Sequence, residues 1–270
     1  MGFSVLMSVY EKEKPEYLEK ALLSVINQTM QPDEIVLVED GKLTEKLYQV
    51  IDEIQIKYPI LKPYPFEKNE GLGLALAKGL CLCQNELVAR MDTDDIAKSN
   101  RFELQYKFME EHTEIAVLGG CLEEFNEEDV TYHKIKRMPE EMPAIIKYAR
   151  YRNPLNHMTV MFRKEAVLAA GGYHQFPYLE DYELWIRMLA KGARFQNVDT
   201  VLVEARCNPD IYDRRGGISY CKQYLQLRRK QYDLNLLNFW QYQMAKILTI
   251  GMTVQPRKLR KLVYQKFLRK

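Results

Sequence analysis

The chain has 270 residues, of which 47% are hydrophobic and 28% are charged, a composition typical of an ordinary soluble globular protein with a sizeable core. Its 39 basic and 37 acidic side chains leave a net charge of +2, so no overall field favours nucleic acid and no nucleic-acid partner is expected. Five cysteines match no zinc or redox spacing, which predicts mostly buried thiols without disulfides in a reducing compartment. Without a basic leader or long apolar span, the sequence predicts a cytosolic or cytosol-facing protein.

Strand and helix patterns alternate through the first part of the chain. Residues 3–9 and 35–38 have the apolar content of buried strands, and each is followed by apolar residues at helical spacing. Residues 59–66 form a third, proline-interrupted strand, which favours an edge position. A third helix over 71–82 leads into a strand at Leu87. This β-α-β alternation predicts an α/β, Rossmann-like fold with a doubly wound, mainly parallel sheet.

The fourth strand runs into three carboxylates, Asp92, Asp94 and Asp95. Such close carboxylates repel one another, and a divalent cation such as Mn²⁺ or Mg²⁺ would offset the repulsion through oxygen ligands. The alternative is a polar turn in which an aspartate caps the next helix. The position at the carboxyl end of a strand favours the metal site, because ligands of α/β sheets usually bind there.

Polar residues also follow the first three strands and could form a nucleotide pocket, although each alone is more typical of a loop. They are Ser8, Tyr10, Asp40, Asn69 and Gly71. The Gly71-Leu72-Gly73 segment is not a dinucleotide fingerprint, since Leu76 stands where the third glycine would be. A Walker lysine motif is also missing from the sequence, so a metal is expected to hold any phosphates.

Beyond residue 98 the pattern predicts a helix over 99–111, strands over 115–118 and 121–125, an exposed loop or hairpin over 126–137, a helix over 138–150 and a strand over 159–162. His157 precedes that last strand, where a core histidine is the commoner case. Glu180 and Asp181 begin a helix, and acids there complement the helix dipole. Trp185 on this helix is more typical of the core than of a sugar platform.

After Val203 the sequence becomes basic and rich in aromatic residues. A polar segment containing Arg206, Arg215 and Gly216 is expected to be a mobile loop, and a solvated charge run is the alternative. The helical tail that follows has no acid after Asp233 and ends in a basic, amphipathic stretch. This pattern predicts contact with an anionic membrane surface, and packing against another subunit fits nearly as well.

Several motifs occur together in a fixed order: 4–10, 24–29, 35–41, 69–71 and 89–95, continued by 153–157, 161–164, 171–173 and 180–185. In this combination the chain resembles the family 2 inverting glycosyltransferases, which have the GT-A fold. The resemblance implies a nucleotide-sugar donor, usually a UDP-sugar, a divalent metal at the Asp-x-Asp pair, and a glycan, glycolipid or glycoprotein acceptor.

The resemblance also implies roles for individual residues. Asp94 would be the main metal ligand, Asp92 would contact the metal and the donor sugar, Tyr10 and Asp40 would hold the base, and Asp181 would be the catalytic base. The remaining implied contacts are Ser8, Asn69, Gly71 and Arg90 to the nucleotide sugar, and His157, Glu180, Trp185 and Arg215 to the diphosphate or acceptor.

The sequence therefore predicts a GT-A catalytic domain over residues 1–205, with a nucleotide-sugar-binding half over 1–98 and an acceptor half over 99–205, followed by a basic loop and helical tail over 206–270. The expected reaction is metal-dependent, inverting transfer of one hexose-type sugar to a hydroxyl of a growing glycan in polysaccharide biosynthesis. Two alternatives are a sugar nucleotidyltransferase, for which the segment Ser8-Val9-Tyr10-Glu11 lacks the needed glycines, and a non-catalytic sugar-binding or scaffold module.

Overall fold

The structure, a computed structural model, describes residues 2–207 and 216–255. Strands and helices alternate from the start, as the sequence pattern predicts. The strands are β1 Phe3–Val9, β2 Glu34–Glu39, β3 Leu61–Pro65, β4 Leu87–Arg90, β5 Ile96–Ala97, β6 Ile115–Phe125, β7 His133–Lys136, β8 Met161–Arg163 and β9 Arg194–Arg206. The helices are α1 Pro15–Ile26, α2 Glu45–Lys57, α3 Leu72–Leu82, α4 Arg101–Glu111, α5 Met142–Ala149, α6 Lys164–Ala169, α7 Glu180–Ala190, α8 Ile218–Asp233 and α9 Phe239–Thr253.

Within the described residues, the strands form one sheet in the order β3-β2-β1-β4-β8-β6-β9-β5, and β7 pairs with β6. The first four strands are parallel, which confirms the predicted α/β core. β8 is antiparallel to both its neighbours, whereas β6 and β9 pair in parallel over most of their length. β3 lies at the edge, where Pro63 and Pro65 remove ladder donors without harm.

Two large apolar clusters cover the two faces of this sheet. One face packs against α1, α2 and α4, and the other packs mainly against α3, α5, α6 and α7. Both clusters draw residues from each side of position 98, for example Phe3 with Phe102 and Leu6 with Phe162. The two predicted halves, 1–98 and 99–205, therefore share their cores.

The helical tail predicted beyond residue 206 is present in the described range as the antiparallel pair α8 and α9. Arg228 of α8 joins this pair to the sheet domain, because its guanidinium donates hydrogen bonds to the carbonyls of Arg150 and Tyr151 and to Tyr182 Oη. Asn238 and Gln241 form a reciprocal capping box that starts α9. The chain beyond 255 lies outside the described residues.

The structure corrects one strand prediction. Residues 115–118 and 121–125 are a single strand, β6, that continues through Gly119 and Gly120 with register shifts against β9. A Cβ at Gly119 would lie 2.4 Å from Asn197 Oδ1, so the glycines allow close approach of β9. The glycine pair therefore marks a bulge inside a strand and not a break between two strands.

Two further boundaries differ from those predicted. Helix α5 begins at Met142 and not at 138, with Pro143 in its first turn, because proline is tolerated there but not in a helix interior. The predicted strand over 159–162 is a 3₁₀ turn at His157–Thr159 followed by β8.

Cys83, Cys121 and Cys221 are buried, Cys207 is half-buried and Cys81 is exposed, and all five are free thiols. None of the helices in the described ranges has the length and apolarity needed to cross a membrane.

Candidate active site

The strand order reverses between β1 and β4, which places a crevice at the carboxyl ends of these two strands. Ligands of α/β sheets bind at this kind of topological switch point. A cavity of about 970 Å³ opens there. It extends from the ends of β1 and β2, past the acidic motif that follows β4, to the start of α7 and the inner face of the α8–α9 pair.

Five predicted nucleotide-binding residues line this cavity together: Ser8, Tyr10, Asp40, Asn69 and Gly71. The carboxylate of Asp40 is buried and accepts hydrogen bonds from the backbone N–H groups of Glu70 (2.7 Å) and Gly71 (3.0 Å). Asp40 thus fixes the turn that starts α3, and its carboxylate still has lone pairs for a further donor. Tyr10 is 41% exposed, so its ring is available for stacking.

The three carboxylates after β4 converge as the sequence predicts. One ligand oxygen from each of Asp92, Asp94 and Asp95 lies within 4.8 Å of the others, and all three residues line the cavity. Burial, together with the neighbouring Asp92 and Glu13, raises the pKa of Asp94 to about 7. Burial and Asp94 also raise the pKa of Asp95. Clustered, partly desolvated carboxylate oxygens are the donor set that Mn²⁺ and Mg²⁺ prefer, so these residues fit a divalent metal.

Arg206 holds this acidic segment in place, a role that the sequence did not reveal. Its backbone N–H donates to Asp95 Oδ1 (2.8 Å), and its Nε donates to the carbonyl of Asp94 (3.0 Å). The guanidinium lies 3.7 Å from the centre of the Tyr17 ring and forms an ion pair with Glu127. The predicted loop assignment of Arg206 is wrong, because it is the last residue of β9.

Asp181 lies in the first turn of α7 and faces the same cavity as the acidic segment. Its Oδ2 accepts a hydrogen bond from Asn153 Nδ2 (2.6 Å), and its Oδ1 accepts one from the backbone N–H of Tyr182 (2.7 Å). Burial raises the pKa of Asp181, while these two hydrogen bonds act in the opposite direction. The result is an oriented carboxylate whose basicity is greater than that of a surface aspartate.

Glu180, the carboxylate that precedes Asp181 in the first turn of α7, has a different environment. Burial and the adjacent Asp181 raise its pKa to about 7. Its Oε2 is buried without a hydrogen-bond partner in the described part of the chain, and the residue is not among those that line the cavity. Of the two acids, Asp181 is therefore the one that lines the cavity.

His157 borders the cavity but is buried, and its Nε2 pairs with Tyr173 Oη at 2.9 Å. Burial and the nearby Arg90 hold the pKa of His157 well below its usual range, so the ring is neutral. His157 therefore has the buried environment of a core histidine and also lies beside the cavity. A neutral imidazole here can orient neighbours but adds no positive charge.

Two other predicted site residues do not line the cavity. Trp185 is fully buried, in edge contact with His157 and Phe195, and does not line the cavity, so the structure favours its core interpretation over a place at the acceptor site. The Arg90 side chain is only 2% exposed and does not line the cavity; it forms an ion pair with Asp92 from beneath. Arg215 lies outside the described residues.

The cavity also has a wall that the sequence did not predict. Next to Asp181, tyrosines from three separate segments line it, and cationic side chains accompany them. These lining residues are Tyr148, Tyr151, Tyr178, Tyr220, Tyr224, Lys136, Arg152 and Arg228. Tyr178 has a left-handed backbone (φ 71°), rare for a bulky residue, and its ring contacts that of Tyr220. Their sequence spacing shows no shared period, so only the fold brings them together.

Three kinds of functional group line this one cavity. They are an anionic cluster suited to a metal, an oriented carboxylate suited to proton abstraction, and aromatic faces suited to flat or ring-shaped ligands. The acidic cluster and Asp181 lie on different elements, at the end of β4 and the start of α7. A substrate bound between them would therefore contact both.

Comparison with solved structures shows the same fold. The chain matches Staphylococcus aureus TarS residues 1–349 in complex with UDP-GlcNAc with a TM-score of 0.71 at 18% identity, covering 99% of this chain and 76% of that one. It matches the mannosyltransferase PcManGT from Pyrobaculum calidifontis in complex with GDP-Man and Mn²⁺ with a TM-score of 0.64 at 15% identity, covering 98% and 79% of the two chains. The predicted GT-A architecture is thereby confirmed.

Sequence relatives are much closer. The amylovoran biosynthesis glycosyltransferase AmsE of Erwinia amylovora is 40% identical over 264 residues, which is 98% of either chain. The Escherichia coli UDP-Gal:alpha-D-GlcNAc-diphosphoundecaprenol beta-1,3-galactosyltransferase is 37% identical over 268 residues, 99% of this chain and 97% of that one. The model of glycosyl transferase family 2 matches residues 4–169, which include the acidic cluster but not Asp181. These matches, which agree with the predicted enzyme class and not with a nucleotidyltransferase or a scaffold, show that the chain belongs to glycosyl transferase family 2.

Proposed function

We propose that this enzyme transfers one hexose-type sugar from a UDP-sugar to a hydroxyl group of a growing glycan, with inversion at the anomeric carbon. The observation that supports this most directly is that Asp181, oriented by Asn153, and the Asp92–Asp94–Asp95 cluster line one cavity. The galactosyltransferase relative carries UDP-Gal in its name, and the TarS structure contains UDP-GlcNAc, which makes UDP the first nucleotide to test.

In this proposal the nucleotide lies across the ends of β1 and β2. The Tyr10 ring stacks on the base, and the Asp40 carboxylate accepts a hydrogen bond from it while continuing to hold the turn before α3. Asp94 and Asp92 would hold Mn²⁺ or Mg²⁺, which supplies charge neutralisation to the departing diphosphate. Arg206 keeps Asp94 and Asp95 in position through the two hydrogen bonds described above.

Asp181 then accepts the proton of the acceptor hydroxyl. The hydroxyl oxygen bonds to the anomeric carbon as the bond from that carbon to the UDP oxygen breaks on the opposite side. A single displacement needs one base and no enzyme nucleophile, and a positioned carboxylate contributes about 100- to 10,000-fold to such a step. The tyrosine wall beside Asp181 offers faces on which an acceptor sugar ring can pack.

The proposal is tested by incubating the purified protein and Mn²⁺ with a panel of UDP-, GDP- and dTDP-sugars and measuring release of each nucleoside diphosphate, with several glycan and glycolipid acceptors. We expect UDP release that rises with a suitable acceptor and a β-linked product from an α-linked donor. Release of GDP or dTDP in place of UDP would contradict the donor assignment, and an α-linked product from an α-linked donor would contradict the single displacement.

A further inference from the structure

The segment that leads into α7 contains a turn with an unfavourable residue at its centre. The backbone N–H of Leu179 donates a 3.0 Å hydrogen bond to the carbonyl of Phe176, which closes a four-residue turn around Pro177 and Tyr178. The proline ring fixes its own φ near about −65°, and Tyr178 has a φ of 71°, a combination found in type II turns. Glycine normally occupies the second central position of such a turn, because a Cβ there crowds the backbone. Tyrosine at this position therefore costs stability that glycine would not.

The strain at Tyr178 has no local compensation. In the described ranges, the other non-glycine residue with a positive φ is Asn235, and asparagine tolerates that conformation because its short polar side chain can bond to the nearby backbone. A bulky aromatic side chain cannot do this. Strained residues cluster at active sites and ligand clamps, where the surrounding structure holds them in place. Strain at a position that lines the cavity indicates that the side chain has a use there.

The Tyr178 ring is supported by α8 and remains accessible. Tyr178 lines the cavity and is 56% exposed, whereas Tyr220, in the same wall, is only 6% exposed. The two rings meet in an edge contact with their centroids 5.6 Å apart, and the Tyr220 ring lies 5.0 Å from that of Tyr224. Contact with α8 thus holds the Tyr178 ring, while more than half of the residue's surface can still be covered by a ligand.

The turn is joined directly to the helix that carries Asp181. Leu179 is buried, and its carbonyl accepts the hydrogen bond of the Glu183 backbone N–H (2.8 Å) in the first turn of α7. Tyr178 and Asp181 are three residues apart, so at most about 10 Å separates their Cα atoms. A molecule that packs on the Tyr178 ring can therefore also contact the Asp181 carboxylate.

We propose that the Tyr178 ring is the platform on which the terminal pyranose of the acceptor packs, and that this residue positions the attacking hydroxyl for Asp181. The faces of a pyranose carry C–H groups that pack on an aromatic ring, while its hydroxyls at the rim remain available for hydrogen bonds. Tyrosine suits this role, because it offers a large, rigid surface with few torsions to fix. The inference rests on the proposed function in taking the acceptor to be a saccharide.

The first test measures saccharide binding without catalysis. Saturation-transfer difference NMR is recorded on the full chain, loaded with UDP and Mn²⁺, in the presence of the methyl pyranosides of glucose, galactose and N-acetylglucosamine. We expect saturation of the ring C–H protons of at least one pyranoside and none of sorbitol, an acyclic polyol without a ring face. Tyr178→Gly should weaken pyranoside binding by about 5-fold or more, whereas Tyr178→Phe should retain it, because phenylalanine keeps the aromatic face.

The second test separates the acceptor from the donor in the kinetics of transfer. With an acceptor that is active in the nucleotide-sugar panel above, Tyr178→Gly should raise the KM for the acceptor by about 5-fold or more and leave the KM for the donor unchanged. Phe239→Ala is the matched control, because it removes an aromatic side chain that is 52% exposed but does not line the cavity. It should change neither pyranoside binding nor either KM.

Glycine is the informative replacement, because it adopts the positive φ of this turn without strain. Tyr178→Gly should therefore have a Tm no lower than that of the wild type and should bind UDP with wild-type affinity in calorimetry. Loss of UDP binding together with pyranoside binding would mean that the ring is structural, and this result overturns the proposal.

Three other results also overturn the proposal. They are wild-type protein that saturates none of the pyranosides, wild-type protein that saturates sorbitol equally, and a Tyr178→Gly variant that binds pyranosides as tightly as the wild type. A failure of the proposed sugar transfer is recognised separately, because the wild type would then release no nucleoside diphosphate while its pyranoside binding could still be measured.

Discussion

The side-chain amide of Asn153 donates a 2.6 Å hydrogen bond to Oδ2 of Asp181, across 28 positions of sequence. Together with the backbone N–H of Tyr182, it directs the carboxylate of Asp181 into the cavity. A hydrogen bond to the charged form of a carboxylate favours ionisation, so Asn153 counteracts the burial that raises the pKa of Asp181. The Asp181 carboxylate is thus both half-buried and ionisable.

Replacement of Asp181 by asparagine should retain its shape and remove its basicity. We expect kcat to fall by at least about 100-fold while UDP affinity, measured by calorimetry, remains that of the wild type. Glu180→Gln is the matched control, because it makes the same change one residue earlier. If Glu180→Gln is inactive and Asp181→Asn transfers sugar at a normal rate, the base has been assigned to the wrong carboxylate.

Replacement of Asn153 by alanine should change the pH dependence of kcat more than it changes the fold. Since the proposed transfer needs ionised Asp181, the wild-type rate should decrease as the pH falls through the raised pKa of this group. Without the hydrogen bond the carboxylate is harder to ionise, so the acid limb of kcat should move to higher pH, with a loss of roughly 10-fold on that limb and recovery at alkaline pH. A uniform loss at all pH values would indicate a purely structural role for Asn153.

The acidic cluster should be necessary for transfer and for metal-dependent nucleotide binding. Asp94→Ala should abolish detectable transfer, and excess EDTA should do so reversibly in the wild type, because the diphosphate would leave without charge neutralisation. Calorimetry should show that Mn²⁺ tightens UDP binding to the wild type but not to Asp94→Ala. Full turnover in excess EDTA would refute the metal assignment.

Arg206 should matter for both stability and metal use. Arg206→Ala removes the Nε donor to Asp94 and leaves the Tyr17 ring and Glu127 without the guanidinium. We expect a loss of about 1–3 kcal/mol in the free energy of unfolding, the usual cost when a buried hydrogen-bonding partner is removed. Weaker Mn²⁺ activation should accompany it. Arg194→Ala, an exposed position at the other end of β9, is the control and should change neither quantity.

Glu183 should make stability depend on pH. Burial raises the pKa of this carboxyl, but hydrogen bonds and charge from Arg187 and Lys230 outweigh burial and leave the pKa lowered. A lowered folded-state pKa gives stability that is present above the unfolded pKa and is lost as the pH falls through the folded one. Denaturant titrations should therefore show a smaller loss on acidification for Glu183→Gln than for the wild type. Glu53→Gln, at an exposed position of α2, should leave the pH dependence of wild type unchanged.

Local sequence determined the parallel half of the fold and the acidic end of the site. Each βα repeat carries its own signal, because a buried strand needs consecutive apolar residues and an amphipathic helix needs them at 3.6-residue spacing. The carboxyl ends of parallel strands share one edge, so Ser8, Asp40 and Asp94 could be placed together from their positions after β1, β2 and β4. The edge position of β3 followed in the same way from its prolines.

Tertiary structure alone decided the arrangement of the cavity around Asp181. Asn153 and Asp181 are brought together by a hydrogen bond between separate segments, and Arg206 reaches Asp94 across 112 residues. Neither contact has a local periodicity that a sequence pattern could show. The sequence also does not decide the environment of Trp185, because its position on the helix is compatible with either the core or the cavity. Only the packing of α7 against the sheet buries its ring, because the face of a helix that meets the core is fixed by its neighbours and not by its own sequence.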